Sequence, residues 1–406
     1  MMYDFDSIID RRSSNSVKWS GLSLRQLYGR SDLKPFWIAD MDFAVAPAIQ
    51  TAVMEKAKHG IYGYSHGDSH VHAFIDWVKR RFNWKVRAEW IQHTPGVVTA
   101  LNLAVNAFCE PGDQVMIQEP VYYPFANAIR NNGCHVLSND LVIKNGAYEI
   151  DFADFAEKAR RPDTRMFILC SPHNPIGRLW TREELARMME ICKENNVIVV
   201  ADEIHCDLVL HGSRHQVVAE LDRAYHRHLV TCMAPSKTFN LAGLQMSFIV
   251  IEDAELRRRF ARQIQKNGLG MPNAFAIEAV TAAYNESEDW LEELLDYLAD
   301  NAAFVRGFCR EYLSRVRFFK HEATYLMWLD FRDYGLKDLD LQTLIFHQAK
   351  IAMDAGVWFG HCGEGFMRLN IAAPRAVLED ALRDLAAVFK ERGMGPDQPE
   401  TAMGNL

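Results

Sequence analysis

No stretch of the 406-residue chain approaches the roughly 18 uninterrupted apolar residues of a membrane span, so a membrane protein is not expected. The opening residues Met1-Met2-Tyr3-Asp4-Phe5-Asp6 hold neither the basic nor the apolar region of a secretory signal, and a cytoplasmic location is expected. Cysteine is sparse and scattered. Its eight positions (109, 134, 170, 192, 206, 232, 309 and 362) form no C-x-x-C pair, and several sit inside apolar runs. They read as reduced, mostly buried thiols rather than a disulfide frame or zinc site. Positive charge is also short: 45 Lys and Arg against 53 Asp and Glu give a formal charge of -8, with the basic residues dispersed. Such a field does not attract a nucleic acid. Internal repeats and low-complexity tracts are absent. What remains, with 49% apolar and 24% charged residues, is a globular chain long enough for one large domain and a smaller one.

From residue 46 to 288, short runs rich in Val and Ile alternate with longer helical patterns. The runs are 115–118, 134–137, 166–170, 197–201, 228–233 and 247–251. Between them lie segments such as Thr181-Arg182-Glu183-Glu184, a capping-box start followed by Leu185, Met188, Met189 and Cys192 at helical spacing. This rhythm predicts an α/β domain with a mixed, mostly parallel sheet. After it, a long amphipathic helix to about Tyr312, strands near 316–319 and 326–330, and further helix predict a smaller α+β domain over 289–392. Residues 1–45 are expected to contribute to that smaller domain, and 393–406 to form a frayed tail.

Four segments carry candidate chemistry. Lys237 follows the apolar run Leu229-Val230-Thr231-Cys232-Met233 and precedes Phe239-Asn240-Leu241, so both flanks suggest burial. Desolvation disfavours its cation and makes the amine a nucleophile, whereas an ordinary lysine is a solvated surface charge. Asp202 ends the run Val197-Ile198-Val199-Val200-Ala201, at the strand edge where open α/β sheets bind ligands; alone it would read as a loop carboxylate. Asn174, in Ser171-Pro172-His173-Asn174-Pro175, follows another strand, as either a turn residue or an amide donor to a ligand. Thr94-Pro95-Gly96-Val97-Val98 is a glycine turn opening a helix, where free N–H groups and the helix dipole favour a phosphate.

Taken in this order, the segments resemble the fold type I pyridoxal 5′-phosphate (PLP) enzymes of the aminotransferase class I/II superfamily, over nearly the whole chain to about residue 392. The resemblance implies that Lys237 carries the cofactor as a Schiff base and shuttles the Cα proton. It implies that Asp202 pairs with the pyridine nitrogen and Asn174 with the ring oxygen. Val97 and Val98 then offer N–H groups to the phosphate, with the Ser236 hydroxyl beside them, and Tyr122 stacks on the ring, with Tyr123 the neighbour that could be confused with it. Arg368, in Gly365-Phe366-Met367-Arg368-Leu369-Asn370, falls where the superfamily holds the substrate α-carboxylate, a task suited to a bidentate fork. The run Gly60-Ile61-Tyr62-Gly63-Tyr64 resembles the segment whose tyrosine reaches the phosphate of a neighbouring subunit; Tyr64 is preferred over Tyr62, and a homodimer with shared active sites follows.

Within the superfamily, two features are similar to the MalY/PatB-type cystathionine β-lyases. One is Phe36-Trp37-Ile38-Ala39-Asp40-Met41-Asp42-Phe43, which brings Ala39 toward the substrate. The other is Asp202-Glu203-Ile204-His205, where His205 replaces the tyrosine of many aminotransferases at the cofactor. Gln245 stands where those aminotransferases place a phosphate-binding arginine. The resemblance implies cleavage of S-substituted L-cysteines to a thiol, pyruvate and ammonia, with transamination of an unidentified amino acid as the alternative. A non-catalytic regulator would need an added basic DNA-binding module, which the sequence does not carry; an unrelated α/β enzyme would need the four segments to coincide by chance. No metal is expected: His66, His70 and His72 space like ligands but lack a carboxylate or cysteine partner and read as loop and helix surface. His361-Cys362-Gly363-Glu364-Gly365 reads as a turn near the substrate.

Overall fold

The computed structural model describes residues 2–210 and 212–395. Seven strands form the central sheet: β1 (Ile91–Thr94), β2 (Gln114–Ile117), β3 (His135–Ser138), β4 (Thr164–Cys170), β5 (Ile198–Asp202), β6 (Leu229–Met233) and β7 (Ser247–Val250). Their order is β1-β7-β6-β5-β4-β2-β3. The pairs among β6, β5, β4, β2 and β3 are parallel, and β7 runs antiparallel to both β1 and β6. The sheet is therefore mixed and mostly parallel, as the alternating pattern predicts. Helices cover both faces, which is why β4, β5 and β6 read as nearly unbroken apolar runs. The edge strand β1 escapes that pattern, because its sequence Ile-Gln-His-Thr alternates with polar residues.

The helices of this region include α1 (Val97–Phe108), α2 (Pro124–Asn131) and α3 (Arg182–Glu194). The last begins with the expected capping box, in which the Glu184 N–H donates to Thr181 Oγ1 and the Thr181 N–H to the Glu184 carboxylate.

The 25-residue helix α4 (Glu288–Tyr312) leads to a second, antiparallel sheet. Its strands β8 (Arg317–Phe318), β9 (Leu326–Asp330), β10 (Asp354–Ala355) and β11 (Phe366–Asn370) lie in the order β8-β9-β11-β10. Helix α5 (Arg375–Glu391) follows and packs on α4. The N-terminal segment joins this part of the molecule: Lys34–Pro35 pairs in parallel with Ile351–Ala352, and the Phe5 ring sits edge-on to Phe43 and Trp290. From residue 396 onward the expected tail lies outside the described residues. Among the described residues no helix is long and apolar enough to cross a membrane. All eight cysteines are free thiols, seven of them buried.

Candidate active site

Register determines what gathers at the carboxyl edge of the large sheet. Cys170 on β4 pairs with Asp202 on β5, and Asp202 with Cys232 on β6, so these strands end level with one another. Asn174 lies four residues beyond the end of β4, Asp202 closes β5, and Lys237 lies four residues beyond the end of β6. They line one cavity of about 200 Å³. Tyr122 and His205 share its wall, as do Ser236, Val97, Val98 and Ala39. Nine residues proposed from scattered parts of the sequence thus face a common space.

Lys237 Nζ donates to the carbonyl of Ala39 at 2.7 Å, and the same oxygen accepts from the Tyr325 hydroxyl at 2.9 Å. Burial draws the amine down to about 8, and the Arg368 charge acts in the same direction against Asp40 and Asp202. A lysine near neutrality is a usable nucleophile and base. The Ala39 segment is itself held rigidly. Asn370 Nδ2 donates to the carbonyls of Ile38 and Asp40, both at 2.7 Å, and Asn240 bonds Met41 through both its N–H and its carbonyl, each at 3.0 Å. Beneath it, the wholly buried Lys18 pairs with Asp42 at 2.8 Å, and Arg11 pairs with Asp42 at 2.6 Å and Asp40 at 2.8 Å. Breaking one partner of such a buried pair costs about 3–5 kcal/mol, so the carbonyl that receives the lysine is anchored.

Asp202 is buried, and its Oδ1 accepts from the Ile204 N–H at 3.1 Å. Burial raises its carboxyl to about 7, in spite of that bond and of Lys237. His205 is kept neutral by burial and by the Lys237 and Arg368 charges, which hold it down at about 3; its Nδ1 has no partner, and its ring meets the edge of Tyr325. Tyr122 donates its N–H to the Asn174 carbonyl at 3.2 Å, and burial drives its phenol well above the ordinary range.

Helix α1 opens at Val97 with no side-chain cap, and Gly96 before it has φ 145°, a conformation that favours glycine. The first-turn N–H groups, including those of Val97 and Val98, therefore point out of the helix without intrahelical acceptors. An anion suits that position. Gln245 lines the same cavity at φ 57°, so no guanidinium supplements the helix there.

Arg368 arrives from the other sheet. On β11 it pairs across to Trp328 on β9 and Asp354 on β10. Its guanidinium is buried, donating to Asn174 Oδ1 at 3.0 Å and the Trp37 carbonyl at 2.8 Å, pairing with Asp354 and lying 4.9 Å from the Phe359 ring centre. The Nε donor has no partner. A buried, charged N–H without an acceptor is costly, and a ligand carboxylate would satisfy it.

Two aromatic residues of the N-terminal half stay outside this cavity. Tyr62 donates its hydroxyl to the Ala57 carbonyl at 2.6 Å and lays its ring near Phe275, while Tyr64 is 96% exposed. Tyr325 and Asp354 belong to the site but carry no signal in the sequence: one looks like core, the other sits on a two-residue strand whose neighbour only tertiary pairing selects. His70 proves to be buried against His93 rather than on the surface, with rings 4.9 Å apart.

A crevice at the carboxyl ends of parallel strands, holding a depressed lysine, a buried carboxylate, an uncapped helix start and a guanidinium from a second sheet, defines an α/β enzyme that binds an anionic cofactor beside an amino acid. The chain belongs to the aminotransferase class I and II family, whose model matches residues 38–385. It is 46% identical over 387 residues to the cystathionine beta-lyase PatB of Bacillus subtilis, covering 95% of this chain and 100% of that protein. It superposes on cystalysin from Treponema denticola, a structure that contains pyridoxal 5′-phosphate, with a TM-score of 0.92 at 33% identity, covering 97% and 100% of the two chains. The PLP-bound C-S lyase from Staphylococcus hominis matches with a TM-score of 0.89 at 33% identity, covering 96% and 98%.

Proposed function

We propose that this chain is a PLP-dependent carbon–sulfur β-lyase that cleaves L-cystathionine or other S-substituted L-cysteines to a thiol, pyruvate and ammonia. The observation that carries this reading is its 46% identity, over nearly its whole length, to a cystathionine beta-lyase. The free thiols suit a reducing compartment such as the cytoplasm.

The wall residues fit the cofactor. Asp202, a buried carboxyl raised by desolvation, lacks the cationic partner that a protonated ring nitrogen would be. The uncapped start of α1, with Val97 and Val98, suits the phosphate, and Ser236 adds a hydroxyl. Asn174 Oδ1 accepts from the Arg368 guanidinium, which leaves the amide NH₂ to donate to the ring oxygen of a bound cofactor. Tyr122 would supply the aromatic face for the ring, and His205 shares the wall of the same cavity. Tyr64, exposed on its own subunit, is assigned to the phosphate of a second subunit, so the working unit is a homodimer.

When bound, PLP supplies a carbonyl that captures the substrate amine and a ring that accepts the electron pair released at Cα. Arg368 holds the α-carboxylate through its fork, including the unpartnered Nε. Lys237, guided by the Ala39 carbonyl, takes the Cα proton on Nζ. The Cβ–S bond then breaks with the thiolate as leaving group. This departure is easy, because a thiol ionises at about 8.5, far more readily than water does. Hydrolysis of the three-carbon remainder yields pyruvate and ammonia.

Purified holoenzyme incubated with L-cystathionine and no keto acid is expected to release pyruvate and homocysteine in equal amounts. Product formation that requires an added keto acid would assign the chain to transamination instead.

A further inference from the structure

Tyr122 has two sides. One lines the cofactor cavity, and the other lines a groove of about 630 Å³ that also includes Glu119, Arg130, Phe359 and His361. Phe359 is the ring that lies 4.9 Å from the Arg368 guanidinium, so the groove begins one side chain away from both the ring face and the carboxylate fork.

Its polar wall is built rather than incidental. Glu119 Oε2 lies 3.3 Å from His361 Nδ1, and Asp140 Oδ2 lies 3.1 Å from His361 Nε2; the three ligand atoms fall within 4.8 Å of one another. The two carboxylates are thus brought together across an imidazole that is itself 72% exposed. Burial and the neighbouring Asp140 charge raise the Glu119 carboxyl, opposed by His361 and Arg130. Gly360 makes room for the arrangement, since a Cβ there would stand 2.6 Å from Glu119 Oε2 and the backbone has φ +130°. On the helix α2 side, the exposed Arg130 offers the opposite charge.

We propose that this groove is the subsite for the leaving half of the thioether and selects one ending in a zwitterionic amino acid, with Glu119 and Asp140 receiving its ammonium and Arg130 its carboxylate. This deepens the C–S lyase reading and rests on it. Cystathionine has such an end four atoms beyond its sulfur, whereas S-methyl-L-cysteine presents only a methyl group and leaves the groove empty. Both substrates break the same Cβ–S bond and share the Arg368 contact, so they separate the subsite from the chemistry. Glu119, Asp140 and Arg130 act on specificity and touch none of the reacting atoms.

The test compares kcat/KM for L-cystathionine and S-methyl-L-cysteine in the wild-type holoenzyme and in Glu119→Gln and Arg130→Gln. Each variant is expected to lose about tenfold on cystathionine, mostly in KM, with S-methyl-L-cysteine changed less than twofold, the loss of one charge-assisted contact. Equal losses on both substrates, or none on either, would overturn the proposal. Arg130 is exposed and its replacement does not endanger folding. If the wild type releases pyruvate from neither substrate, the lyase reading fails by itself. The subsite is then read by titrating both compounds into Lys237→Ala protein loaded with PLP: added Glu119→Gln must weaken cystathionine alone, and parallel weakening of both ligands refutes it.

Discussion

Lys237→Ala is expected to lower pyruvate release from L-cystathionine by about 10³-fold, while the apoprotein melts no lower than wild type. The rate follows from the loss of a positioned proton acceptor, which is worth about 10²–10⁴-fold. In the wild type the amine is set by one short contact, 2.7 Å to the Ala39 carbonyl, and its affinity for protons is already drawn down to about 8 by burial. The stability follows from the same burial. Between about pH 8 and the ordinary lysine value of 10.5, the unfolded chain keeps a proton that the folded chain has shed, so below that window folding pays for burying a cation. Alanine has no such cost. A small primary amine added to the assay should restore part of the activity without altering the melting curve, which separates a missing base from a damaged fold.

Asp202→Asn is expected to reduce activity by at least 10²-fold and, unusually for a buried site, to stabilise the apoprotein at alkaline pH. In the unfolded chain the carboxyl ionises near 3.8 and in the folded cofactor-free chain near 7. Across that interval the unfolded state releases a proton that the folded state retains, so stability falls as pH rises and the loss is complete above about 7. The difference corresponds to a cost of order 4 kcal/mol at pH 8. Asparagine removes the charge and with it this group's share of the pH dependence. Denaturant titrations of both apoproteins at pH 5 and pH 8 read this directly: between the two values the wild type should lose more stability than the variant, the difference being the part that Asp202 contributes. Adding PLP should narrow the gap at pH 8, because a protonated ring nitrogen supplies the partner that the carboxylate lacks. Parallel behaviour of the two apoproteins would refute the electrostatic reading of Asp202.

The same physics explains which parts of the site are visible in the sequence. In an open parallel sheet, position along the chain translates into position in space, because each strand must end at the same edge. Apolar runs around 166–170, 197–201 and 228–233 therefore announce where the following Asn174, Asp202 and Lys237 will meet. The uncapped start of α1 is legible for a related reason, since a glycine turn before an apolar helical pattern leaves N–H groups without acceptors. The second sheet offers no such rule. Its strand β11 is fixed by pairing with β9 and β10, elements more than ten residues away, so Asp354 beside Arg368 emerges only from tertiary register. Lys18 and Arg11 look like surface charges in the sequence, yet they anchor the segment that holds the Ala39 carbonyl. Glu119 stands three residues before Tyr122 and has no local pattern of its own; its pairing with His361 crosses 242 residues.

The bond between the cofactor and Lys237 is the one on which the proposed chemistry depends, and it can be trapped. Holoenzyme reduced with borohydride, digested and analysed by mass spectrometry should carry the pyridoxyl group on the peptide containing Lys237, stoichiometrically and on no other peptide. A label on a different lysine, or no label in protein that has taken up PLP, would contradict it.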